Sequence, residues 1–347
     1  MSSTGTDAAL ARMIEDGRAR AAATDPHHAA LWDALADAAE GGKRFRPALV
    51  VATHDALGGT RSAAADEVGA AVELLHTAFV IHDDVIDGDE VRRGRPNVGG
   101  TFRAHAQTGG ARVEAAVGYG RTAAILAGDL ALAAAVRAVA LCGADAGTVA
   151  ELLDLFDTAL HTTAAGELAD VRLALGHAPA TLAESLAMEE QKTSAYSFEL
   201  PLRAGAALAG ADATTSARLG EVGRAMGLAF QLVDDLLGVF GDPERTGKSA
   251  TSDLRTCKQT PLLVHARSTP EWRSIRGYLG RDLEAGELDE VRALLTTSGS
   301  RRFVEGLADE QLAAARAGVA AVGISLDLLD GATARPASLA DGNEVAA

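Results

Sequence analysis

Residues 66–87 read DEVGAAVELLHTAFVIHDDVID, and this stretch decides the fold. Its apolar side chains recur at three- and four-residue spacing, which predicts a helix with a buried face. The run ends in three aspartates, Asp83, Asp84 and Asp87, and the arginine-rich segment RRGRP (92–96) follows closely. The question is why carboxylates stand at the end of an apolar helix with guanidinium groups directly after them.

The composition of the whole chain favours helices throughout. Hydrophobic residues make up 48% of the 347 residues, while aromatic residues make up only 4%. Much of the apolar share is alanine, the best helix former, and the aromatic and β-branched residues that favour strands are sparse. Helical spacing recurs along most of the chain, and no segment alternates in the way that a strand requires. The sequence predicts an all-α protein.

Charge and cysteine content exclude several classes of function. The formal net charge is −16, which argues against nucleic-acid binding and against an anionic membrane surface. The two cysteines, Cys142 and Cys257, form no CxxC pattern, so neither a disulfide framework nor a cysteine-rich zinc site is expected. The N-terminus has no apolar signal core, and Asp129 and Arg137 interrupt the longest apolar run. We expect a soluble, cytoplasmic protein without a membrane span.

No linker divides the chain, so we expect one helical domain over 1–347. Residues from about 9 to 330 are expected to be ordered, with a flexible tail over 331–347. One echo is present: AFVIHDD (78–84) and AFQLVDD (229–235) each place two aspartates near the end of an apolar helix. Two helices with the same end are expected to face each other across one cavity, although coincidence in an alanine-rich chain explains the echo equally well.

The first carboxylate cluster has the chemistry of a magnesium site. Asp83, Asp84 and Asp87 lie within one helical turn on one face. Their mutual repulsion, and their place at a helix C-terminus, call for a compensating cation. Oxygen ligands without histidine or cysteine suit Mg²⁺ shared with substrate phosphates rather than zinc. For this cluster alone, a solvated acidic face is the competing interpretation.

A second cluster, Asp234 and Asp235, makes a metal site a better interpretation than a solvated acidic face. Two opposed carboxylate pairs suit a group of Mg²⁺ ions that neutralise a diphosphate and stabilise it as a leaving group. Gly238 stands where a third aspartate would repeat the spacing of the first cluster. Glycine has no ligating atom, but activity is expected to survive if Asp234 carries the metal and a third aspartate acts mainly through water; otherwise the site is weakened.

Basic residues gather in loops near these acids. GGKRFRP (41–47) combines two glycines, which allow close approach of the backbone, with three cationic side chains. Further lysines stand in QKTSAY (191–196), TGKSAT (246–251) and RTCKQT (255–260). No segment has the GxxxxGK[ST] pattern of a nucleotide-triphosphate loop. As a set, the cations predict sites for two polyphosphates, one held through metal and one held directly.

In their order and spacing, GGKRFRP, HDDVID with RRGRP, KTSAY, FQLVDD and GDPERTGK resemble the trans-isoprenyl diphosphate synthases, also called polyprenyl synthetases. The resemblance runs from about residue 41 to the Lys258 region. It implies the isoprenoid synthase fold, a large helical bundle around a central cavity, usually in a homodimer. It also implies condensation of an allylic diphosphate with isopentenyl diphosphate. Three Mg²⁺ ions are expected with the allylic diphosphate bound.

The resemblance also assigns roles to residues. Metal ligands would be Asp83, Asp84, Asp87 and Asp234, with Asp235 nearby and acting through water. The allylic diphosphate would be held by Arg92, Lys192 and Lys248, with Lys258 close by. Isopentenyl diphosphate would be held by Gly42, Lys43, Arg46, His76 and Arg93. Thr193 and Gln231 would line the reacting carbons. For His76, a packed core histidine is the competing interpretation.

Product length is expected to depend on the helix that bears HDDVID. Each turn upstream of Asp83 lies about 5.4 Å deeper, close to one isoprene unit. Phe79 and Ala78 lie four and five residues before Asp83, so one position is bulky and the other is open. We expect geranylgeranyl diphosphate (C20) as the main product, with farnesyl diphosphate (C15) as the alternative.

Two other classes compete with a synthase. A class I terpene cyclase handles one diphosphate, so GGKRFRP would have no role, and its Asn/Ser/Glu metal pattern is missing from DDLLGVFGD (234–242). A non-catalytic subunit of a heteromeric synthase would be expected to lose carboxylates or basic loops. Only Gly238 favours that interpretation.

Overall fold

The computed structural model describes residues 4–176, 178–241 and 252–325. Within them the structure is helical apart from one two-residue ladder, in agreement with the expected all-α class. The first elements are α1 (Thr4–Ala22), α2 (Pro26–Ala39), α3 (Phe45–Ala56), α4 (Ser62–Asp87), β1 (Val91–Arg92), β2 (Arg95–Pro96), α5 (Val98–Thr108), α6 (Val113–Ala140) and α7 (Ala146–Ala174). They are followed by α8 (Leu182–Glu189), a π-helix (Glu190–Glu199), α9 (Leu200–Ala209), α10 (Ala213–Phe240), α11 (Ser252–Arg255), α12 (Pro261–Ala266), α13 (Trp272–Ile275), a 3₁₀ turn (Arg276–Tyr278), α14 (Ala285–Thr297) and α15 (Ser300–Val322).

The chain divides into two compact units. Unit 1 comprises Met1–Phe156 and Pro201–Ser216, and unit 2 comprises Asp157–Leu200 and Ala217–Ala347. The first carboxylate cluster and the GGKRFRP loop belong to unit 1. The second carboxylate cluster belongs to unit 2, together with Lys192 and Lys258. A single domain over the whole chain stays a prediction, and the tail over 331–347 lies outside the described residues.

Helix α4 is the central element of unit 1. Helices α1, α2, α3 and α6 all pack against it, and Val68, Val72, Leu75 and Ala78 are completely buried. A helix that is apolar on nearly all sides is stable only when other helices surround it. It ends at Gly88, whose φ of +74° is the left-handed conformation that terminates helices. The carboxylates therefore stand on the last turn of a rigid core helix.

Helix α6 packs on α4 through small side chains. Most of its buried positions are alanine or glycine, which lets the two backbones approach closely. At Gly128 an added Cβ would lie only 2.2 Å from His82 Nε2, so glycine is needed to make room for the ring. His82 Nε2 lies 3.3 Å from the carbonyl oxygen of Ile125. This packing fixes the residue that directly precedes Asp83.

Unit 2 has a larger aliphatic core. Helix α10 contributes Leu228, Leu232 and Leu236 at four-residue spacing, and the side chains that meet them come from α11, α12, α14 and α15. The spacing puts the apolar stripe of α10 on one face. Asp235 is buried and Asp234 is half-buried, so the pair stands where the core of the unit meets its surface.

A ten-residue π-helix follows α8 and carries Lys192 and Thr193. π-Helical turns are rare and are often found at functional sites. Two neighbouring helices approach its backbone through glycines. An added Cβ at Gly166 of α7 would lie 2.3 Å from the Lys192 backbone nitrogen, and one at Gly223 of α10 would lie 2.5 Å from Glu199 Cα. These close contacts fix the position of the π-helix along its axis and its rotation about that axis.

One helix among the described residues is long and apolar enough to pass a composition test for a membrane span. This helix is α6. The core helices of proteins outside membranes pass the same test, so the result by itself is weak evidence.

The glycine crossing at the π-helix gives a stability prediction. Gly166→Ala should lower the free energy of unfolding by about 1–3 kcal/mol, because α7 must move away from the Lys192 backbone. Gly306→Ala is the matched control, since Gly306 lies within α15 and no atom lies within 4 Å of its added Cβ. That change should instead stabilise by about 0.5–1 kcal/mol. Urea unfolding of both variants measures the difference, and equal effects would refute the crossing argument.

Candidate active site

In unit 1, the aspartates at the end of α4 are paired with Arg92. Arg92 Nε donates to Asp84 Oδ1 at 2.8 Å, and Arg92 Nη2 lies 3.3 Å from Asp83 Oδ2. Asp84 is 5% exposed, whereas Asp87 is exposed. Burial raises the pKa of Asp84, and the hydrogen bond from Arg92 opposes that rise. The predicted acid cluster and the first predicted phosphate-binding arginine therefore meet in one place.

A tight hairpin brings Arg92 back to the helix end. Strand β1 pairs with β2 in antiparallel register, with Arg92 opposite Arg95. The two turn residues, Arg93 and Gly94, have φ of +53° and +74°. Positive φ at both central positions is what a two-residue type I′ turn requires. The ladder is too short for the alternation by which strands are recognised in a sequence, and it returns Arg92 to the aspartates at the end of α4.

The GGKRFRP loop lies beside Arg93. Gly41 and Gly42 have φ of +76° and +78°, and an added Cβ on them would come within 3.4 and 3.5 Å of the Arg93 guanidinium. Arg93 Nη1 also donates to the carbonyl oxygen of Glu40 at 3.1 Å. Gly42 and Arg93, predicted to share a substrate, are therefore neighbours.

His76 lies among four guanidinium groups. Burial lowers its pKa well below the usual value, and the positive charges of Arg46, Arg92, Arg93 and Arg44 lower it further. The ring is therefore neutral near pH 7. A neutral imidazole beside this concentration of positive charge can donate or accept a hydrogen bond without adding to the repulsion.

Arg44 and Lys43 of the GGKRFRP loop differ in the contacts that they make. Arg44 Nη1 donates to Glu73 Oε1 at 2.5 Å, which ties the loop to the middle of α4. Lys43 is exposed, and within the described residues no hydrogen bond or ion pair holds its ammonium. Arg44 therefore has a structural partner, whereas Lys43 extends into solvent.

In unit 2, Lys192 is held by two carboxylates of α7. Its Nζ lies 2.9 Å from Glu167 Oε2 and 2.8 Å from Asp170 Oδ2. Our interpretation of the sequence missed both acids. They stand three residues apart, which puts them on one face of a helix, but that spacing is common in an acidic chain and does not identify a partner.

A chain of polar contacts links four further predicted residues. Thr193 Oγ1 donates to Gln231 Oε1 at 3.0 Å, and Gln231 Nε2 donates to Asp235 Oδ1 at 3.1 Å. Lys258 Nζ lies 3.7 Å from the same Asp235 oxygen. Each link restrains the next, so the Gln231 amide has a fixed orientation with its carbonyl oxygen towards Thr193.

Two buried acids in this unit have an incomplete set of partners. Asp235 Oδ2 and Glu189 Oε1 are buried, and neither oxygen has a hydrogen-bond partner within the described part of the chain. Burial raises the pKa of Asp235 well above its usual range, and the charge of Glu189 raises it further. Burial acts to lower the pKa of Lys258, but Glu189 and Asp235 raise it well above normal. Glu189 is a third acid that the sequence interpretation missed.

The donor chemistry fits a divalent cation shared with substrate. Within the described residues, no group of three or more His, Cys, Asp or Glu side chains is close enough to enclose a metal. Mg²⁺ does not require such a cage, since it keeps waters and binds one or two carboxylates together with phosphate oxygens. Asp83 and Asp84 offer such a pair, and the unpartnered Asp235 oxygen is a further buried acceptor. Lys248, predicted to bind the allylic diphosphate, lies outside the described residues.

Comparison with known proteins identifies the family. The family model described as polyprenyl synthetase matches residues 28–295. The chain is 34% identical over 326 residues to geranylgeranyl diphosphate synthase of Mycobacterium tuberculosis, covering 92% of this chain and 87% of that one. It is 35% identical over 272 residues to geranylfarnesyl diphosphate synthase of Aeropyrum pernix, covering 77% and 80%.

A solved structure gives the same result for the fold. Geranylgeranyl pyrophosphate synthase of Corynebacterium glutamicum, in complex with isoprenyl diphosphate and magnesium, superposes with a TM-score of 0.87 at 27% identity, over 95% of this chain and 98% of that one. The chain belongs to the polyprenyl synthetase family and has the all-α isoprenoid synthase fold. It is a prenyltransferase of the isoprenyl diphosphate synthase class, and the family's use of a divalent metal is supported. These expectations from the sequence are confirmed.

Glu189 provides a pH-dependent test of the buried cluster. Burial raises its pKa from 4.5 to about 7, so between these values the folded protein keeps a proton that the unfolded chain has lost. The stabilisation from this proton is complete below the unfolded pKa and is lost as the pH rises through the folded pKa. Glu189→Gln should therefore raise the free energy of unfolding at about pH 8, on the order of 1–3 kcal/mol, with little effect at about pH 4.5. Denaturant titrations of Glu189→Gln and the wild type at both pH values measure the free energies of unfolding. A difference between the two proteins that is the same at both pH values would contradict the prediction.

Proposed function

We propose that the protein condenses allylic diphosphates with isopentenyl diphosphate, with geranylgeranyl diphosphate as the main product. The main supporting observation is that carboxylates of both predicted clusters are paired with cations that the resemblance assigns to diphosphate binding. Asp84 pairs with Arg92 in unit 1, and Asp235 with Lys258 in unit 2. Acids for metal and bases for phosphate therefore occur together in each unit.

The metal would be held by Asp83, Asp84, Asp87 and Asp234, as the family resemblance implies. When bound, Mg²⁺ neutralises diphosphate charge and assists its departure from the allylic carbon. We propose three ions in the complex with the allylic diphosphate. Asp84 is buried and already tied to Arg92, so its orientation is set before any ligand arrives.

Arg92 and Lys192 are proposed to exchange partners when the allylic diphosphate binds. Both now neutralise carboxylates, Asp84 in one case and Glu167 with Asp170 in the other. A diphosphate offers more acceptor oxygens and more charge than a carboxylate, and arginine binds such groups in a bidentate manner. The protein carboxylates freed in this way are then available to metal. Lys258, and Lys248 outside the described residues, are proposed to assist.

Isopentenyl diphosphate is proposed to bind at the cationic loop of unit 1. Gly42, Lys43, Arg46, His76 and Arg93 form this set. The left-handed glycines keep the backbone open to an anion, and the four guanidiniums that lower the pKa of His76 are a strong source of positive potential. Direct binding by cations suits a diphosphate that must not leave its carbon.

The reaction itself needs orientation and exclusion of water more than a protein nucleophile. The allylic C–O bond breaks with its electron pair going to diphosphate. The double bond of isopentenyl diphosphate then attacks the allylic cation, forms the new C–C bond, and loses a proton to the released diphosphate. Thr193 and the fixed carbonyl oxygen of Gln231 are proposed to stabilise the cation through their dipoles. Neutral oxygens suit this role because they do not trap the carbocation as a carboxylate would.

Product length is proposed to depend on Phe79. Its side chain is half-buried, as are those of His76 and Asp83, and the three lie at three- and four-residue spacing on one face of α4. Ala78 is fully buried. Phe79 is therefore the better candidate for a floor to the growing chain, and Ala78 is a core position where a larger side chain risks overpacking.

A homodimer is proposed to form through the outer face of α6. Tyr119, Ile125, Leu126 and Val136 are each 38–46% exposed on this helix. Their spacing forms a stripe opposite the small residues that pack on α4. Exposed apolar stripes of this kind usually mark an interface.

The main test is a condensation assay with labelled isopentenyl diphosphate and the C5, C10 or C15 allylic primer. We expect a Mg²⁺-dependent C20 product after dephosphorylation, lost in EDTA and reduced by about a thousandfold or more in Asp83→Ala. Asp309→Ala, an exposed position in α15, is the control and should keep full activity. A different product length would refute the C20 assignment alone. No condensation with any primer would favour the non-catalytic subunit.

Phe79→Ala should shift the product towards longer chains, because it removes the bulk below the growing end. Chromatography of the products from the same assay reads the shift. Phe102→Ala, a buried aromatic change elsewhere in unit 1, is the control and should leave product length unchanged. Identical product lengths for Phe79→Ala and the wild type would refute the floor hypothesis.

The double variant Ile125→Asp/Leu126→Asp should be monomeric where the wild type is dimeric, since two charges would be buried at the interface. Light scattering after gel filtration measures the mass. Leu175 lies directly after α7 and is 63% exposed, so Leu175→Asp should keep the wild-type mass. A dimer that survives the double change would place the interface elsewhere.

A further inference from the structure

Cys257 has a backbone conformation that cysteine rarely adopts. Its φ is +54°, and within the described residues only Arg44 and Arg93 share a positive φ without being glycine. Arg93 has this conformation because it lies in the two-residue turn between β1 and β2. A side chain in the left-handed region crowds its own backbone, so the surrounding structure must hold Cys257 there.

The turn at Cys257 is the C-terminal end of α11. The Cys257 nitrogen donates to the carbonyl oxygen of Leu254 at 3.3 Å, and the Lys258 nitrogen donates to that of Asp253 at 3.0 Å. These are the two hydrogen bonds of a Schellman motif, in which the left-handed position is usually glycine. Cysteine occupies that position here. The direction in which Lys258 leaves the helix therefore depends on the backbone of Cys257.

Gln259 holds this turn through its side chain. Its Nε2 donates to the carbonyl oxygen of Cys257 at 2.8 Å, and its Oε1 accepts from Arg267 Nη2 at 2.6 Å. Its own carbonyl oxygen accepts from Ser185 Oγ at 2.6 Å, and Ser185 is completely buried. The Gln259 amide is thus fixed at both ends, and it restrains the peptide that joins Cys257 to the next residue.

That next residue is Lys258, which bears one of the cations proposed to assist with the allylic diphosphate. Its Nζ lies 3.7 Å from Asp235 Oδ1, and its side chain is 24% exposed. A rotation of the turn would move the ammonium group away from this position. A misplacement of about 1 Å in a binding group can cost about a hundredfold in rate. The support of the turn therefore matters for binding as well as for stability.

We infer that Gln259 is a positioning residue for Lys258: its amide keeps Cys257 in the left-handed conformation that directs the lysine towards the allylic diphosphate. Because Lys258 meets that diphosphate only under the proposed function, the role of Gln259 rests on that function. Glycine adopts the left-handed conformation without support. The turn depends on Gln259 because this chain has cysteine at position 257.

The test is calorimetric binding of an unreactive allylic thiolodiphosphate in the presence of Mg²⁺. Gln259→Met removes the amide at similar length and should raise the Kd by about fivefold, the effect of one lost hydrogen bond. Cys257→Gly added to that variant should restore the Kd to within about twofold of wild type, because glycine keeps the turn unaided. Gln107→Met makes the same change at an exposed position of α5 and should leave the Kd unchanged.

Two further measurements distinguish positioning from a purely structural role. In the Lys258→Ala background, Gln259→Met should cause no further loss of binding, because the amide acts through the lysine. In the condensation assay, Gln259→Met should raise the KM for the allylic primer by about fivefold and leave the KM for isopentenyl diphosphate unchanged. A structural glutamine would instead lower the fraction of active protein, and so kcat, without separating the two KM values.

Three results would overturn the role of Gln259. They are wild-type binding by Gln259→Met, a loss that Cys257→Gly fails to restore, and a further loss when Gln259→Met is added to Lys258→Ala. The proposed function stands in each of these cases if the wild type condenses the two substrates. If the wild type gives no condensation with any primer, the proposed function is wrong, and the role of Gln259 falls with it.

Discussion

The pairing of buried carboxylates with cations is the constraint on which the rest of this structure depends. Asp84 lies against Arg92, Lys192 lies against Glu167 and Asp170, and Lys258 lies near Asp235. A lone charge in such surroundings would be strongly destabilising, whereas a paired one is tolerated. Under the proposed function, each unit thus holds charges for a metal and a diphosphate without the cost of keeping them unpaired before substrate arrives.

Carboxylate–cation pairs keep their geometry only if the backbones that bear them are rigid. Small residues provide that rigidity because they let helices pack closely. Gly128 makes room for the His82 ring beside Asp83, and Gly166 and Gly223 let two helices reach the backbone of the π-helix. The alanine content that marks the chain as helical thus has a second role, since short side chains allow close helix contacts. Catalysis by preorganised charges requires this stiffness, because dipoles that must reorient during the reaction stabilise a cation less well.

The sequence predicted the features that depend on local spacing. Helix α4 with its terminal aspartates, and the acidic end of α10, follow from three- and four-residue periodicity. The features that it missed depend on contacts between distant segments. Glu167 and Asp170 become recognisable only when Lys192 is seen between them, and Glu189 only when its burial is known.

We propose that cations of the protein exchange carboxylate partners for diphosphate when Mg²⁺ is present. The most direct measurement is a calorimetric titration of an unreactive allylic thiolodiphosphate into the wild type, Asp83→Asn and Asp234→Asn, each with Mg²⁺ and with EDTA. We expect tight binding to the wild type that depends on Mg²⁺ and is weakened in both variants. Equal binding in EDTA, or unchanged binding in both variants, would contradict it.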